Sequence, residues 1–193
     1  MKANYCDIVI VLDRSGSMES IKEDVIGGFN RFLKEQQAIP GEATITLVQF
    51  DNIYEIVYMG KNLQEASLID DTVYKPRGST ALLDAIGKTI DDTGRRLSYM
   101  PENQRPSKVI FGIQTDGYEN ASKYFIIEQI NSMINHQKNV YSWEFVFMGA
   151  NQDAITEASK LGIDASHAMH YRATAAGVRN VYSDFSDRVA ACR

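Results

Sequence analysis

Several features that mark whole classes of protein are scarce or missing in this chain of 193 residues. No apolar run approaches the roughly 20 residues that cross a bilayer, so we expect no association with a membrane. The net charge of −5 argues against binding to nucleic acid, because the phosphate backbone attracts positively charged proteins. The three histidines, His136, His167 and His170, are too few and too scattered to favour a zinc site.

Cysteine is also scarce, and no export signal is predicted. Cys6 and Cys192 lie near opposite ends of the chain. The apolar run between Asp7 and Asp13 is too short for the core of a secretory signal. We therefore expect a cytoplasmic protein in which both thiols are free, with a disulfide joining the two ends of the chain as the alternative.

The overall composition is that of an ordinary soluble globular protein. Hydrophobic residues make up 44% of the chain and charged residues 23%. A chain of 193 residues can bury one well-formed core but is short for two. We expect a single domain that covers residues 1–193.

The most informative stretch is an apolar run, Ile8–Leu12, and the polar turn that follows it. The run is rich in β-branched residues, which is typical of a strand buried on both faces. Asp13, Ser15 and Ser17 then place oxygen side chains at alternate positions, before a segment of helical period. This turn therefore lies at the carboxyl end of a central strand, where open α/β sheets bind their ligands.

Two later segments carry oxygen side chains in similar surroundings. Thr80 comes just before an apolar helix, and Asp116 follows the apolar run Val109–Ile113. Oxygen donors suit Mg²⁺, Mn²⁺ or Ca²⁺ rather than zinc or copper. Hydroxyl groups would leave the charge of Mg²⁺ unsaturated, while the two carboxylates would supply countercharge. The predicted metal ligands are Asp13, Ser15, Ser17, Thr80 and Asp116.

Each of these residues also has an ordinary interpretation. Ser17 and Thr80 could be N-caps, since each precedes an apolar helix. Ser15 could belong to a simple turn, and Asp13 and Asp116 could be loop carboxylates that face water. Only the combination, after two buried strands, favours a metal site.

The rest of the chain alternates between predicted strands and helices. Further strands are predicted at Thr44–Phe50, Ile53–Met59, Lys108–Ile113, Tyr141–Met148 and Met169–Tyr171. Helices are predicted over Met18–Ala38, from Thr80, after an N-cap at Ser122, over Asp153–Lys160 and from Thr174. A turn is predicted at 149–151. We interpret Gly27-Gly28 as allowing the first helix to approach the sheet closely.

This alternation determines the expected fold class. Only Asp51 and Asn52 separate the second strand from the third, so these two strands should form an antiparallel hairpin. The other connections are long enough for parallel crossovers. We expect an α/β fold with a doubly wound, mostly parallel sheet, one antiparallel edge strand and helices on both faces.

The pattern of site residues resembles a known motif. Asp-x-Ser-x-Ser at 13–17, a distant Thr and a distant Asp are similar to the metal-ion-dependent adhesion site (MIDAS) of von Willebrand factor type A (vWA) domains. The resemblance extends over nearly the whole chain and implies the Rossmann-like vWA fold. It implies that Ser15 and Ser17 bind the cation directly and that Thr80 does so when a ligand is bound. Asp13 and Asp116 would act mainly through water.

The same resemblance implies a function without catalysis. It implies a protein-interaction module of stand-alone bacterial or phage type, in which the cation binds an Asp or Glu carboxylate of a partner protein. Eight further residues on these loops have two possible roles. They should either surround the metal and set partner preference, or be solvated loop side chains. They are Arg14, Met18, Glu19, Lys75, Arg77, Tyr118, Glu119 and Asn120.

An enzyme is the alternative hypothesis. A metal-dependent phosphohydrolase of the haloacid dehalogenase type also begins with an Asp at the end of its first strand. It needs a second Asp two positions later, where this chain has Ser15. No Gly-x-Gly-x-x-Gly or Walker lysine motif follows a strand, which disfavours a nucleotide-binding domain.

Overall fold

A computed structural model describes residues 1–150 and 153–193 of the chain. In these ranges one sheet contains six strands, in the order β3-β2-β1-β4-β5-β6. Only β2 and β3 pair in antiparallel fashion, and β3 lies at an edge. The strands are β1 (Lys2–Asp13), β2 (Glu42–Phe50), β3 (Tyr54–Asn62), β4 (Pro106–Thr115), β5 (Glu144–Ala150) and β6 (Ala168–Tyr171). The predicted fold class is confirmed.

Helices cover both faces of the sheet. One face packs against α1 and α5, and the other against α2, α3 and α4. A short 3₁₀ helix, Gly16–Ile21, precedes α1. The α-helices are α1 (Lys22–Ala38), α2 (Leu82–Ser98), α3 (Ile127–Tyr141), α4 (Ala154–Lys160) and α5 (Ala175–Cys192).

The central strand β1 is buried on both faces, as its apolar run predicts. Ile8, Ile10 and Leu12 face the α1 and α5 side of the sheet. Val9 and Val11 face the opposite side, towards α2 and α3. All five side chains are fully buried, and each such burial contributes about 1.5–3 kcal/mol to folding. This burial fixes the position of the turn that follows β1.

Several predicted element ends are wrong. The first helix was expected from Met18, but the 3₁₀ helix occupies its first turn. The third strand begins at Tyr54 and continues to Asn62. Trp143 lies just before β5, whereas Gly149 and Ala150 belong to β5 rather than to a turn. The last residue of that predicted turn, Asn151, lies outside the described residues.

The two predicted caps of α2 and α3 are also wrong. Helix α2 begins at Leu82 and its N-cap position is Ala81, so the side chain of Thr80 does not cap it. Helix α3 begins only at Ile127. Ser122 does not cap α3, because its hydroxyl accepts the N–H of Asp84 in the first turn of α2 instead.

Two further properties concern the membrane and the thiols. In the described ranges, no helix is both long and apolar enough to cross a bilayer. Cys6 and Cys192 are free thiols. Burial raises the pKa of Cys6 to about 12, so this thiol stays protonated at neutral pH.

The adjacent glycines of α1 have different surroundings, and the close approach is not to the sheet. A Cβ added to Gly28 would lie 2.5 Å from ring atom Cδ2 of Tyr182, so Gly28 allows α1 to pack closely against α5. A Cβ added to Gly27 would meet nothing within 4 Å. The helix therefore needs glycine at only one of the two positions.

We expect opposite effects from alanine at these neighbouring positions. Gly27→Ala should stabilise the protein by about 0.5–1 kcal/mol, because glycine is entropically costly within a helix. Gly28→Ala should destabilise it by about 1–3 kcal/mol, because the new methyl group overlaps the Tyr182 ring. Urea unfolding measures both free energies. A change of the same sign in both variants would contradict the packing described here.

Candidate metal centre

The sheet topology brings the predicted site residues to one edge. Strands β1 and β4 are parallel neighbours, with Leu12 paired to Gln114 near their carboxyl ends. Asp13 is the last residue of β1, and Asp116 directly follows β4. The two carboxyl groups therefore lie at the same edge of the sheet, where α/β folds bind ligands.

The hydroxyl groups of the site contact one of these carboxylates and each other. Ser17 Oγ donates a hydrogen bond of 2.5 Å to Asp116 Oδ1. The Oγ atoms of Ser15 and Ser17 lie 3.2 Å apart. A Cβ placed on Gly117 would be 3.8 Å from both Ser17 Oγ and Thr80 Oγ1, so these hydroxyls face a common space beside Gly117. The structure thus brings Ser15, Ser17, Thr80 and Asp116 together.

Asp13 lies behind these hydroxyls and is fully buried. Its Oδ1 accepts the backbone N–H of Ser15 at 2.6 Å, and its Oδ2 accepts the Thr115 hydroxyl at 2.6 Å. The Tyr74 hydroxyl donates to the backbone carbonyl of Asp13, also at 2.6 Å. These bonds fix the orientation of the carboxylate. Neither Thr115 nor Tyr74 was predicted from the sequence, and the irregular segment that contains Tyr74 has no pattern that would indicate this role.

The electrostatics of the site favour a bound cation. Burial raises the pKa of Asp13 to about 6, although hydrogen bonds from Thr115 and Ser15 oppose the shift. Burial also raises the pKa of Asp116, and the Ser17 hydroxyl opposes that shift. In the part of the chain that the structure describes, no Lys, Arg or His forms an ion pair with either carboxylate. A cation would lower both pKa values by stabilising the charged forms.

The donor atoms predicted at this site include neither nitrogen nor sulfur. Among the described residues, no three His, Cys, Asp or Glu side chains come together to hold a metal ion. The predicted site combines hydroxyl groups with two carboxylates, which is an all-oxygen set suited to a hard cation. The donors present therefore fit Mg²⁺, Mn²⁺ or Ca²⁺.

Arg14 and Met18, which were expected around the metal, are both buried, so neither is exposed to a partner. Arg14 Nε lies 3.2 Å from Asp51 Oδ2, and its Nη1 donates to Glu55 at 2.9 Å. Arg77 Nε donates to the same Asp51 oxygen at 2.8 Å. Asp51, which is 1% exposed at its side chain, thus joins two arginines from different loops.

Backbone hydrogen bonds reinforce this connection between the loops. The N–H of Arg77 donates to the carbonyl of Arg14 at 2.8 Å, and the N–H of Gly16 donates to that of Gly78 at 3.1 Å. The N–H of Ala81 donates to the carbonyl of Asp51 at 3.0 Å. The segment before Thr80 is therefore attached to the turn that carries Ser15 and Ser17.

The remaining residues expected around the metal divide into two groups. Glu19, Lys75, Tyr118 and Asn120 are exposed. Glu119 is half-buried, and both of its carboxylate oxygens accept hydrogen bonds, including those from the N–H groups of Ala121 and Leu83. Glu119 therefore supports local structure and does not offer a free charge to a partner.

Comparisons with known proteins identify the fold. The family model of the von Willebrand factor type A domain matches residues 7–183. Proximal thread matrix protein 1 from the mussel byssus, solved with a zinc-occupied MIDAS motif, aligns with a TM-score of 0.67 at 17% identity. The alignment covers 97% of this chain and 46% of that one, so this chain spans about half the length of the matrix protein.

Two other solved structures have the same fold. The ArnB paralog VWA2 from Sulfolobus acidocaldarius aligns with a TM-score of 0.59 at 18% identity, over 97% of this chain and 45% of that one. The vWF domain of the type V pili tip protein Mfa5 from Porphyromonas gingivalis aligns with a TM-score of 0.62 at 12% identity, over 95% and 96%. A comparison with curated protein sequences finds no match.

These matches bear on the two functional hypotheses. vWA domains are commonly protein-interaction modules and often bind a divalent metal at the MIDAS. The similar structures include matrix, pilin and adhesin domains, which are mostly non-enzymatic, and the phosphohydrolase alternative has no support from them. Because the family model spans nearly the whole sequence, the chain belongs to the von Willebrand factor type A domain family.

Proposed function

We propose that this protein is a metal-dependent interaction module that binds an acidic side chain of a partner protein through a divalent cation. The observation that supports it most is the 2.5 Å contact between Ser17 Oγ and Asp116 Oδ1, which lies next to Ser15. Hydroxyl and carboxylate oxygens from the segments that follow two parallel strands meet there, without an ion-paired basic side chain among the described residues.

The environment of each donor suggests its role toward the cation. Ser15, Ser17 and Thr80 offer neutral hydroxyls, which would hold Mg²⁺ while leaving much of its charge unsatisfied. Both oxygens of Asp13 already accept hydrogen bonds, which suits a carboxylate that acts through water. Asp116 adds the second negative charge. The bound cation would supply the positive charge that attracts the carboxylate of the partner.

The surroundings of the site support a protein partner. Ser17 is exposed, so the site opens to the surface. The ring of Tyr118, two residues after Asp116, is also exposed and can contact an approaching protein. The net charge of −5 does not favour nucleic acid. The free thiols of Cys6 and Cys192 support a reducing, cytoplasmic environment.

The metal site predicts a thermal response. Mg²⁺ or Mn²⁺ should raise the melting temperature of the metal-free protein, because a ligand at 100 times its Kd stabilises the folded state by about 2.7 kcal/mol. Replacing Asp13 and Ser15 together by alanine should abolish this shift. The matched control replaces Ser20 and Asp24, which lie on the following helical turns, and should keep it. Equal shifts in the parent and the Asp13/Ser15 variant would refute the site assignment.

Thr80 provides a separate test of partner binding. Its Oγ1 makes no hydrogen bond within the described residues, so Thr80→Val should leave the metal-free fold intact. A partner captured with Mg²⁺ and released by EDTA should bind this variant at least 100-fold more weakly, about 2.7 kcal/mol. Mg²⁺ alone should lose only about tenfold in affinity, because Ser15 and Ser17 remain. Calorimetry measures both; equal losses would make Thr80 an ordinary ligand.

A further inference from the structure

The backbone of Thr80 is held by a single residue from another loop. Asn120 Oδ1 accepts the N–H of Thr80 at 2.9 Å, and the N–H of Asn120 donates to the carbonyl of Thr80 at 3.0 Å. Both backbone polar groups of Thr80 are therefore bonded to Asn120. Thr80 lies two residues before α2, so the helix itself does not fix its conformation.

The same loop also satisfies the N-terminus of α2. Ala81 at the N-cap position has no polar side chain, so the first N–H groups of the helix need partners from elsewhere. Glu119 Oε2 accepts the N–H of Leu83 at 2.9 Å, and Ser122 Oγ accepts that of Asp84 at 3.0 Å. The loop after Asp116 thus caps a helix that is distant in sequence.

Asp84 returns hydrogen bonds to this loop. Its Oδ2 accepts the N–H of Lys123 at 2.8 Å, and its Oδ1 accepts those of Tyr124 and Phe125, each at 2.9 Å. With these bonds, residues 119–125 and the start of α2 form one hydrogen-bonded unit. Because Asn120 follows Asp116 by four residues, this unit sets the distance between Asp116 and Thr80.

We propose that Asn120 is a positioning residue, which aims the Thr80 hydroxyl at the cation site. This inference depends on the proposed function, because Asn120 can position a metal ligand only if the site binds a cation. Asn120 would not touch the metal itself. Its side-chain oxygen holds the Thr80 backbone, and residues that orient metal ligands typically change metal affinity by about 10- to 100-fold when they are replaced.

The test compares Mn²⁺ affinity in three variants of the full chain by calorimetry at 25 °C. Asn120→Ala removes the acceptor for the Thr80 N–H and should weaken Mn²⁺ binding about tenfold, as Thr80→Val does, because Asn120 acts through Thr80. Asn120→Asp keeps an acceptor oxygen, so its Kd should stay within about threefold of the parent or become tighter. Asn62→Ala is the matched control, because Asn62 Oδ1 accepts a backbone N–H at 3.0 Å far from the site. It should bind Mn²⁺ like the parent.

The outcomes separate this inference from the proposed function. If the parent does not bind Mn²⁺, the proposed function fails. If the parent binds and Asn120→Ala binds equally well, the positioning role is refuted. Equal losses in Asn120→Ala and Asn120→Asp would also refute it, because the retained oxygen should rescue binding. If Asn120→Ala does not fold, Asn120→Ser is measured instead. The serine oxygen is one bond closer to the backbone, so it is too short to replace the bond to the Thr80 N–H. The same tenfold loss is then required.

Discussion

Parallel pairing of β1 with β4 places two carboxyl groups, those of Asp13 and Asp116, at one edge of the sheet. Burial raises the pKa of each, because little water reaches them, and the charge of Asp116 adds to the shift at Asp13. The hydroxyl of Ser17 donates to Asp116, and the hydroxyl of Ser15 lies beside that of Ser17. Much of the surrounding loop structure serves to hold this acidic arrangement, which a cation would complete electrostatically.

Two separate sets of polar contacts connect the loops around the site. In the first set, Asp51 joins Arg14 and Arg77, and so connects the loop before Thr80 to the turn after β1. Such a buried pair adds little net stability, but loss of one member leaves a buried charge uncompensated. In the second set, residues 119–125 cap the start of α2. Thr80 itself is bonded to Asn120 through both of its backbone polar groups, and Ala81 beside it is bonded to Asp51.

Short-range patterns in the sequence predicted those features of the fold that nearby residues determine. The apolar run of β1 and the short link between β2 and β3 predicted the sheet correctly. The roles of Ser122 and Glu119 in capping α2 could not be predicted, since the N–H groups of α2 that they accept lie almost 40 positions away. Gly28 was assigned to the wrong neighbour because a helical period shows which face is buried, not which element covers it. Arg14 was expected beside the metal or in solvent, because the sequence does not show that its partners lie on another strand and loop.

The proposed function requires that hydroxyl oxygens of this chain bind a hard divalent cation directly. Crystals grown with Mn²⁺ and measured at the manganese absorption edge test it, because the anomalous signal locates the ion without assumptions about the ligands. The account predicts one strong peak about 2 Å from the Oγ atoms of Ser15 and Ser17. A peak elsewhere in the protein, or none at a Mn²⁺ concentration that raises the melting temperature, would contradict it.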